Sequence, residues 1–296
     1  MGERIGNIMA QSPAHRLGQI IGDLLEITMV SYLRPIADKY GLYLDYKHPR
    51  PARNGKNEVI WQDINGNKHK LDIVFEEGGT EYVKGKPRVF IEIAWRRYTK
   101  HSKNKAQEIA GAIVPLVSNY KDTSPFYGTV IAGEFTQNSI IQLESEGFKV
   151  VYFEMATIEK AFAKVGINAH WEENTSEADI LNKVNQFDKL SKQQITSIST
   201  ELIKLNEIEL EKFKKSLENS LERRIESVVV YPLHGLKIEL KTVKEAYNYI
   251  TTYNEDVCNA KLVRYEILLR YNNGDKIEAQ FTERQSALKF LMQYMI

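Results

Sequence analysis

The sequence predicts an α/β protein: a mixed β-sheet flanked by helices, then a charged helical connector, then a small α+β domain made of two ββα repeats. Three observations predict it. The segments EVIWQDI and NKHKLDIVFEE are joined by Asn65-Gly66, a preferred hairpin dipeptide, and open an antiparallel meander that continues in RVFIEIAW. Further on, GTVIAG, a helical segment and KVVYFE follow one another, an order that implies a right-handed crossover and a parallel strand pair. Near the end, SVVVYPLHGLKIELKTVKEAYNYI and YEILLRYNNGDKIEAQFTERQSALKFL repeat the same strand, turn, strand and helix. The expected divisions are 1–165, 166–224 and 225–296.

The first helix is set by Ser12-Pro13, a capping side chain followed by proline at the first helical position. Leu17, Ile20, Ile21, Leu24, Leu25 and Met29 then recur at helical spacing up to the region of Pro35. Gly18 and Gly22 share one face of this helix, which suggests that another backbone approaches there. Glu26 lies deep in the apolar pattern and either sits on the solvent flank beside Asp23 or has a role inside the fold. GLYLDY reads as a short strand and KHPRPARNGKNE as a basic loop, whose Arg50, Arg53 and Lys56 are candidates for phosphate contact. After the hairpin and the Gly-rich EEGGTEYVKGKP comes the strand bearing Glu92. Ser102 is placed to cap a helix with its apolar stripe at Ala106, Ile109, Ala110, Ile113 and Val114. Another helix is expected over about 136–146.

From Thr175 to Arg224 the chain is charged and free of Gly and Pro. Ile195, Ile198, Leu202 and Leu205 follow a heptad-like spacing that resumes after a shift at Leu210, Phe213, Leu217, Leu221 and Ile225. Such a stripe either packs on its own domain or pairs two copies in a homodimer. In the repeats, Thr242 and Thr282 are matched helix caps. One ββα unit cannot bury its apolar faces alone, so the two are expected to share a four-stranded sheet with the helices on one side.

Composition bounds the function. The chain has 296 residues and a formal charge of +1, but from Lys84 to Lys105 the only acid is Glu92. The single Cys258 excludes an intrachain disulfide, and no Cys/His group has zinc spacing. No apolar run approaches the ~20 residues that span a bilayer, and MGERIGNIMAQSP lacks the apolar core of a signal peptide. A reducing cytoplasm, away from membranes, is the expected location.

The chemistry concentrates between Lys70 and Ala112. Asp72 interrupts KLDIVF and Glu92 interrupts RVFIEIAW, two runs that otherwise read as buried strands. Burying a lone carboxylate costs several kcal/mol, roughly, unless a cation or donor meets it, so two acids on neighbouring strands suggest a shared divalent cation. Two carboxylates with a peptide carbonyl, that of Ile93, suit Mg²⁺, a hard cation that keeps several waters. Glu92, Ala94 and Arg96 fall on one strand face. The following WRRYTKHSKNK adds Arg96, Arg97, Lys100, His101, Lys103 and Lys105 without an acid, the composition of a surface that meets phosphate.

An acid at the end of one strand, followed by a strand bearing acid-x-Lys, resembles the core of the PD-(D/E)XK nuclease superfamily, which includes many type II restriction endonucleases. In this chain Leu71 stands at the position of the family's proline and Ala94 at that of its lysine. The likeness extends over residues ~12 to ~165 in its order of elements. It implies a restriction-endonuclease-like fold and Mg²⁺, with Mn²⁺ as a substitute, held by Asp72, Glu92 and the carbonyl of Ile93. It also implies a catalytic cation relocated to the helix, Lys105 or Lys103, with Arg96 as the other candidate, and an acid from the first helix, Glu26. Arg96, Arg97, Lys100, His101, Arg50 and Arg53 would contact double-stranded DNA.

Three functions compete on this reading. The first is a Mg²⁺-dependent DNA endonuclease of restriction type, with water as the nucleophile and no covalent enzyme intermediate. The second is a nuclease-derived protein that binds DNA but lost cutting together with the lysine. The third is a protein-interaction module dominated by the charged helices and the repeat.

Overall fold

The computed structural model describes residues 12–120, 124–256, 261–272 and 274–295. The N-terminal stretch read above for a signal peptide (up to Gln11), Cys258 and part of the loop KDTSP lie outside them. The chain divides into two compact units, Met1–Leu217 and Glu218–Ile296.

In the first unit α1 spans Pro13–Lys39, with Ser12 as its N-cap accepting from the His15 N–H. Strands β1 (Tyr43–Tyr46), β2 (Val59–Gln62), β3 (Lys68–Leu71), β4 (Ile73–Glu77) and β5 (Lys86–Arg96) follow, then α2 (Ser102–Asn119). After α2 come β6 (Phe126–Gly133), α3 (Gln137–Ser145), β7 (Lys149–Glu154) and α4 (Met155–Ala163). The main sheet has the order β1-β4-β5-β6-β7; β1, β4 and β5 are antiparallel, and β5, β6 and β7 are parallel. This is an α/β architecture with a mixed sheet flanked by helices, accompanied by separate antiparallel sheets.

The meander differs from the expected one. The chain bends at Asp72, so β2 and β3 form a two-stranded ribbon of their own, and β1 takes the place beside β4. The bend withdraws Asp72 from the strand ladder and leaves its carboxylate free to accept a hydrogen bond from a neighbouring strand.

On β5, Phe90 and Ala94 join a core with Ala106, Ile109, Ala110 and Ile113 of α2, which places the Glu92 face of the strand under that helix. Trp95, on the opposite face, lies against α1, where a Cβ on Gly18 would stand 3.3 Å from its indole nitrogen. The close approach at Gly18 is therefore made by a side chain, and Gly22 has nothing within 4 Å. Ser102 does not cap α2: His101 is the N-cap residue, and the Ser102 hydroxyl instead lies 3.0 Å from that of Ser139 at the start of α3.

The stretch expected as a connector forms α5 (Glu177–Asp188), α6 (Lys192–Leu205) and α7 (Glu207–Leu221). Helices α5 and α6 pack on α1, and α6 also on α4. Ile198, Leu202, Leu210, Phe213 and Leu217 are buried, with the Phe213 ring against Phe126 of the main sheet at 5.4 Å between centroids. Those five positions of the heptad-like stripe thus pack within the first unit, because an amphipathic helix beside an open sheet face buries more apolar surface there than in water, whereas Leu205 is 39% exposed.

The second unit has β8 (Ile225–Pro232), β9 (Ile238–Leu240), α8 (Val243–Thr252), β10 (Tyr265–Tyr271), β11 (Lys276–Phe281) and α9 (Arg284–Met292). Its antiparallel sheet has the order β11-β10-β8-β9, and one apolar cluster joins Val228, Val230, Ile267 and Leu269 to Ala246 and Ile250 of α8 and Ala287 and Leu291 of α9. Thr242 caps α8, whereas Glu283 and not Thr282 precedes α9, without a side-chain cap. No helix among the described residues is long and apolar enough to cross a membrane.

Candidate active site

The Asp72 carboxylate accepts a 2.6 Å hydrogen bond from the backbone N–H of Ile93 through Oδ2. That bond draws it to β5 beside Glu92, where the charge of one carboxylate acts on the other. Burial raises the pKa of both, and the charge of Asp72 pushes Glu92 further up. One oxygen of Glu92, Oε1, is buried without a hydrogen-bond partner. Buried polar atoms normally have partners, and an orphaned acceptor in a carboxylate pair is where a cation would be expected.

Lys105 reaches this pair from the first turns of α2. Its charge lowers the pKa of both Asp72 and Glu92, opposing the effect of burial. The side chain is 16% exposed, and Nζ also donates to Oε1 of Glu108 at 2.8 Å. Glu108 faces Arg96 as well, whose Nη2 lies 3.8 Å from Oε2. Lys103, two residues earlier, is exposed. Of the two lysines, Lys105 is the one whose charge acts on both acids.

Glu26 approaches from α1. Burial and the charge of Asp72 lift its pKa to about 7, against the opposing charge of Lys47. The antiparallel register pairs Tyr46 with Ile73, so Lys47, one residue beyond β1, comes alongside Asp72, one residue before β4. Its charge acts on Asp72 too.

Several expected DNA contacts are committed elsewhere. Arg50 is 0% exposed; it holds Glu76 through two hydrogen bonds of 2.8 and 2.9 Å, lies 2.8 Å from Asp45, and donates to the carbonyls of Thr80 and Val83. Arg53 binds Asp45 and the carbonyls of Tyr46 and His48. Both arginines are therefore buried clamps of the loop after β1, because two buried acids, Asp45 and Glu76, demand them. Arg97 is 12% exposed, with its guanidinium 5.1 Å from the Trp171 ring centroid and donating to the Trp171 carbonyl. Lys100 is exposed and 3.1 Å from Glu173, and His101 is exposed beside it.

Sequence reasoning missed two residues of the site, Lys47 and Glu108. Glu108 follows Lys105 by three residues and so shares its helix face, a signal available from spacing alone. Lys47 has no such signal, since its place depends on β1 pairing with β4.

Among the described residues no group of three or more His, Cys, Asp or Glu side chains is arranged to hold a metal ion. The donor set is the Asp72–Glu92 pair with its orphaned oxygen, and it fits a hard cation that completes its shell with water, as Mg²⁺ does.

No protein-family description and no curated protein matches the chain. A solved structure described as "Crystal Structure of Protein of Unknown Function AF1548" is similar at 11% identity and a TM-score of 0.28, over 70% of this chain and 94% of its own.

Proposed function

We propose that this protein is a Mg²⁺-dependent endonuclease of restriction type that hydrolyses phosphodiester bonds in DNA, with a restriction-endonuclease-like core in its first unit. The observation that carries this reading is the charge of Lys105 acting on the buried Asp72–Glu92 pair, which gives the acid pair a cation despite Ala94. The order of the sheet supports it: an antiparallel β1-β4-β5 segment continues into parallel β6 and β7 with helices at the crossovers. In this reading the restriction-like core ends with α4, the charged helices brace it, and the duplicated ββα unit is a separate domain.

Asp72 and Glu92 would hold the ion, with Mn²⁺ as a substitute. Mg²⁺ bound there would polarise the phosphate and make a water a better nucleophile. Asp72 is oriented by the Ile93 N–H, and Glu92 offers its unpartnered oxygen. Lys105 would offset the negative charge that builds on the phosphate as the bond to its leaving oxygen breaks. Glu26, with a pKa near neutrality, is able to accept or return a proton at the edge of the site. Arg96 and Lys100 remain as cations for the DNA backbone, with His101 exposed beside Lys100.

Ala94 is what would favour the alternative, a protein that binds DNA without cutting it; Lys105 weighs against it. Incubation of the purified protein with labelled duplex DNA tests the point. Strand breaks with Mg²⁺ or Mn²⁺ and none with EDTA are expected. Salt-sensitive binding without breaks would support the binding protein, and neither binding nor breaks would leave the interaction module.

A further inference from the structure

The β2–β3 ribbon stands apart from the main sheet and leads directly into the acid pair, since Leu71 ends β3 and Asp72 follows it. Its pleat gives it two unlike faces. Val59, Trp61 and Leu71 turn inward and join the core with Phe90 and the apolar side of α2. The outer face carries two cross-strand pairs, Ile60 with Lys70 and Gln62 with Lys68, and both lysines are exposed. Lys70 pairs with Glu58, the only exposed acid of residues 56–71, whereas Lys56 and Lys68 have no acid partner among the described residues. The outer surface of the ribbon is therefore cationic.

The tip of the ribbon is held in one shape. Asp63 is buried beneath it and accepts from the backbone N–H of Asn65 at 2.8 Å, from that of Asn67 at 2.9 Å, and from the His69 ring. The tip is also fixed to α2: the Ile64 N–H donates to the Pro115 carbonyl at 3.4 Å, and the Asn119 side chain donates to the Gln62 carbonyl at 2.9 Å. What this scaffold presents to solvent is Ile64, 58% exposed, and the side chain of Asn65. Pro115 follows Lys105 on α2 by ten residues, a rise of about 15 Å. Along a duplex that distance is roughly four base-pair steps.

A two-stranded ribbon, its strands about 4.8 Å apart, enters a major groove about 12 Å wide. There an asparagine pairs with the edge of an adenine and an aliphatic side chain meets a thymine methyl, while lysines meet the phosphates at the rim. We propose that the β2–β3 ribbon is a base-reading arm that lies in the major groove of duplex DNA, with Ile64 and Asn65 at the bases and Lys56 and Lys68 on the phosphates. The partner rests on the nuclease reading, because the duplex is placed by the acid pair at the base of the ribbon.

The test uses the full chain in EDTA, with a pool of random-sequence duplexes from which the bound fraction is recovered and sequenced. The wild-type chain should enrich duplexes that share a short sequence with at least one A·T pair, and bind single strands of that sequence more weakly. Lys68→Ala should weaken binding to all duplexes alike and reduce the slope of log affinity against log salt by about one. Asn65→Ala should lose the preference at one A·T pair, weaken binding to the selected duplex about tenfold, and keep the salt slope. Both side chains are exposed, and an unchanged melting temperature establishes that each variant folds. An unchanged salt slope in Lys68→Ala, the same selected sequence in Asn65→Ala, equal binding of single strands, or no selection by the wild-type chain would each overturn the assignment. Because the assay needs no metal and no cutting, its failure beside intact Mg²⁺-dependent cutting removes only the ribbon. Absence of cutting beside selection that depends on Asn65 removes only the nuclease.

Discussion

The backbone N–H of Ile93 donates to Oδ2 of Asp72 at 2.6 Å, and this bond ties the bend before β4 to the middle of β5. It holds one carboxylate against another in a buried place, where burial raises both pKa values and the charge of Asp72 raises that of Glu92 further. A fold tolerates that arrangement when something positive meets it. Lys105 supplies one charge, and the unpartnered Glu92 Oε1 marks where a second is expected.

Lys105→Ala should lower the cutting rate by roughly 10²-fold or more while leaving DNA affinity within a modest factor, since its charge acts at the reacting phosphate. Lys103→Ala, at an exposed position, should leave the rate unchanged. Single-turnover kinetics beside equilibrium binding would separate the two effects. A rate-specific loss in Lys103→Ala or Arg96→Ala instead would move the role to that residue.

Mg²⁺ at millimolar concentration should raise the melting temperature of the wild-type protein, because a ligand that binds only the folded state stabilises it. Glu92→Gln removes one of two buried acids without changing shape. It should keep the melting temperature seen in EDTA and lose the Mg²⁺-dependent rise. Differential scanning fluorimetry reads both, and a full rise in Glu92→Gln would remove Glu92 from the metal site.

Arg50→Ala should destabilise the first unit by about 3–5 kcal/mol, since it strands the buried carboxylate of Glu76 and leaves Asp45 to Arg53 alone. Lys100→Ala, at an exposed ion pair, should change stability by about 0.5 kcal/mol or less. Urea unfolding of the two variants checks the contrast between a structural arginine and a surface lysine.

The β2–β3 ribbon should fray in acid. Asp63 accepts from the His69 ring and from Asn65 and Asn67, and the His69 bond above all lowers its pKa to about 2 from the ordinary 3.8. A lowered carboxylate pKa contributes stability that is complete above the ordinary value and is lost as pH falls through the lowered one. Amide exchange in residues 59–71 should therefore accelerate between about pH 4 and pH 2, and Asp63→Asn should remove that dependence.

The sequence exposed the acids because a charge in an apolar strand contradicts its surroundings, as at Asp72 and Glu92. Lys105 was legible from its place in the first turn of a helix. Arg50, Arg53 and Arg97 were misjudged for one reason: a basic residue in a loop has the same signature whether it meets phosphate or a buried acid of its own chain. The partners that decide the matter, Asp45, Glu76 and the Trp171 carbonyl, are brought together only by tertiary structure. The bend at Asp72 and the entry of β1 into the sheet were hidden likewise, since strand order among short apolar segments is set by long-range pairing. With them went Lys47. In the second unit, internal repetition carried the information, and the four-stranded sheet with both helices on one face follows from it.

The central claim is that Asp72 and Glu92 together make a metal-dependent nuclease site. Its most direct measurement is plasmid cutting by the wild-type protein, Asp72→Ala and Glu92→Ala, each with Mg²⁺ and with EDTA, after circular dichroism has established that the variants fold. The account predicts cutting by the wild-type protein with Mg²⁺ only and none by either variant. Mg²⁺-dependent cutting that survives in both variants would contradict it.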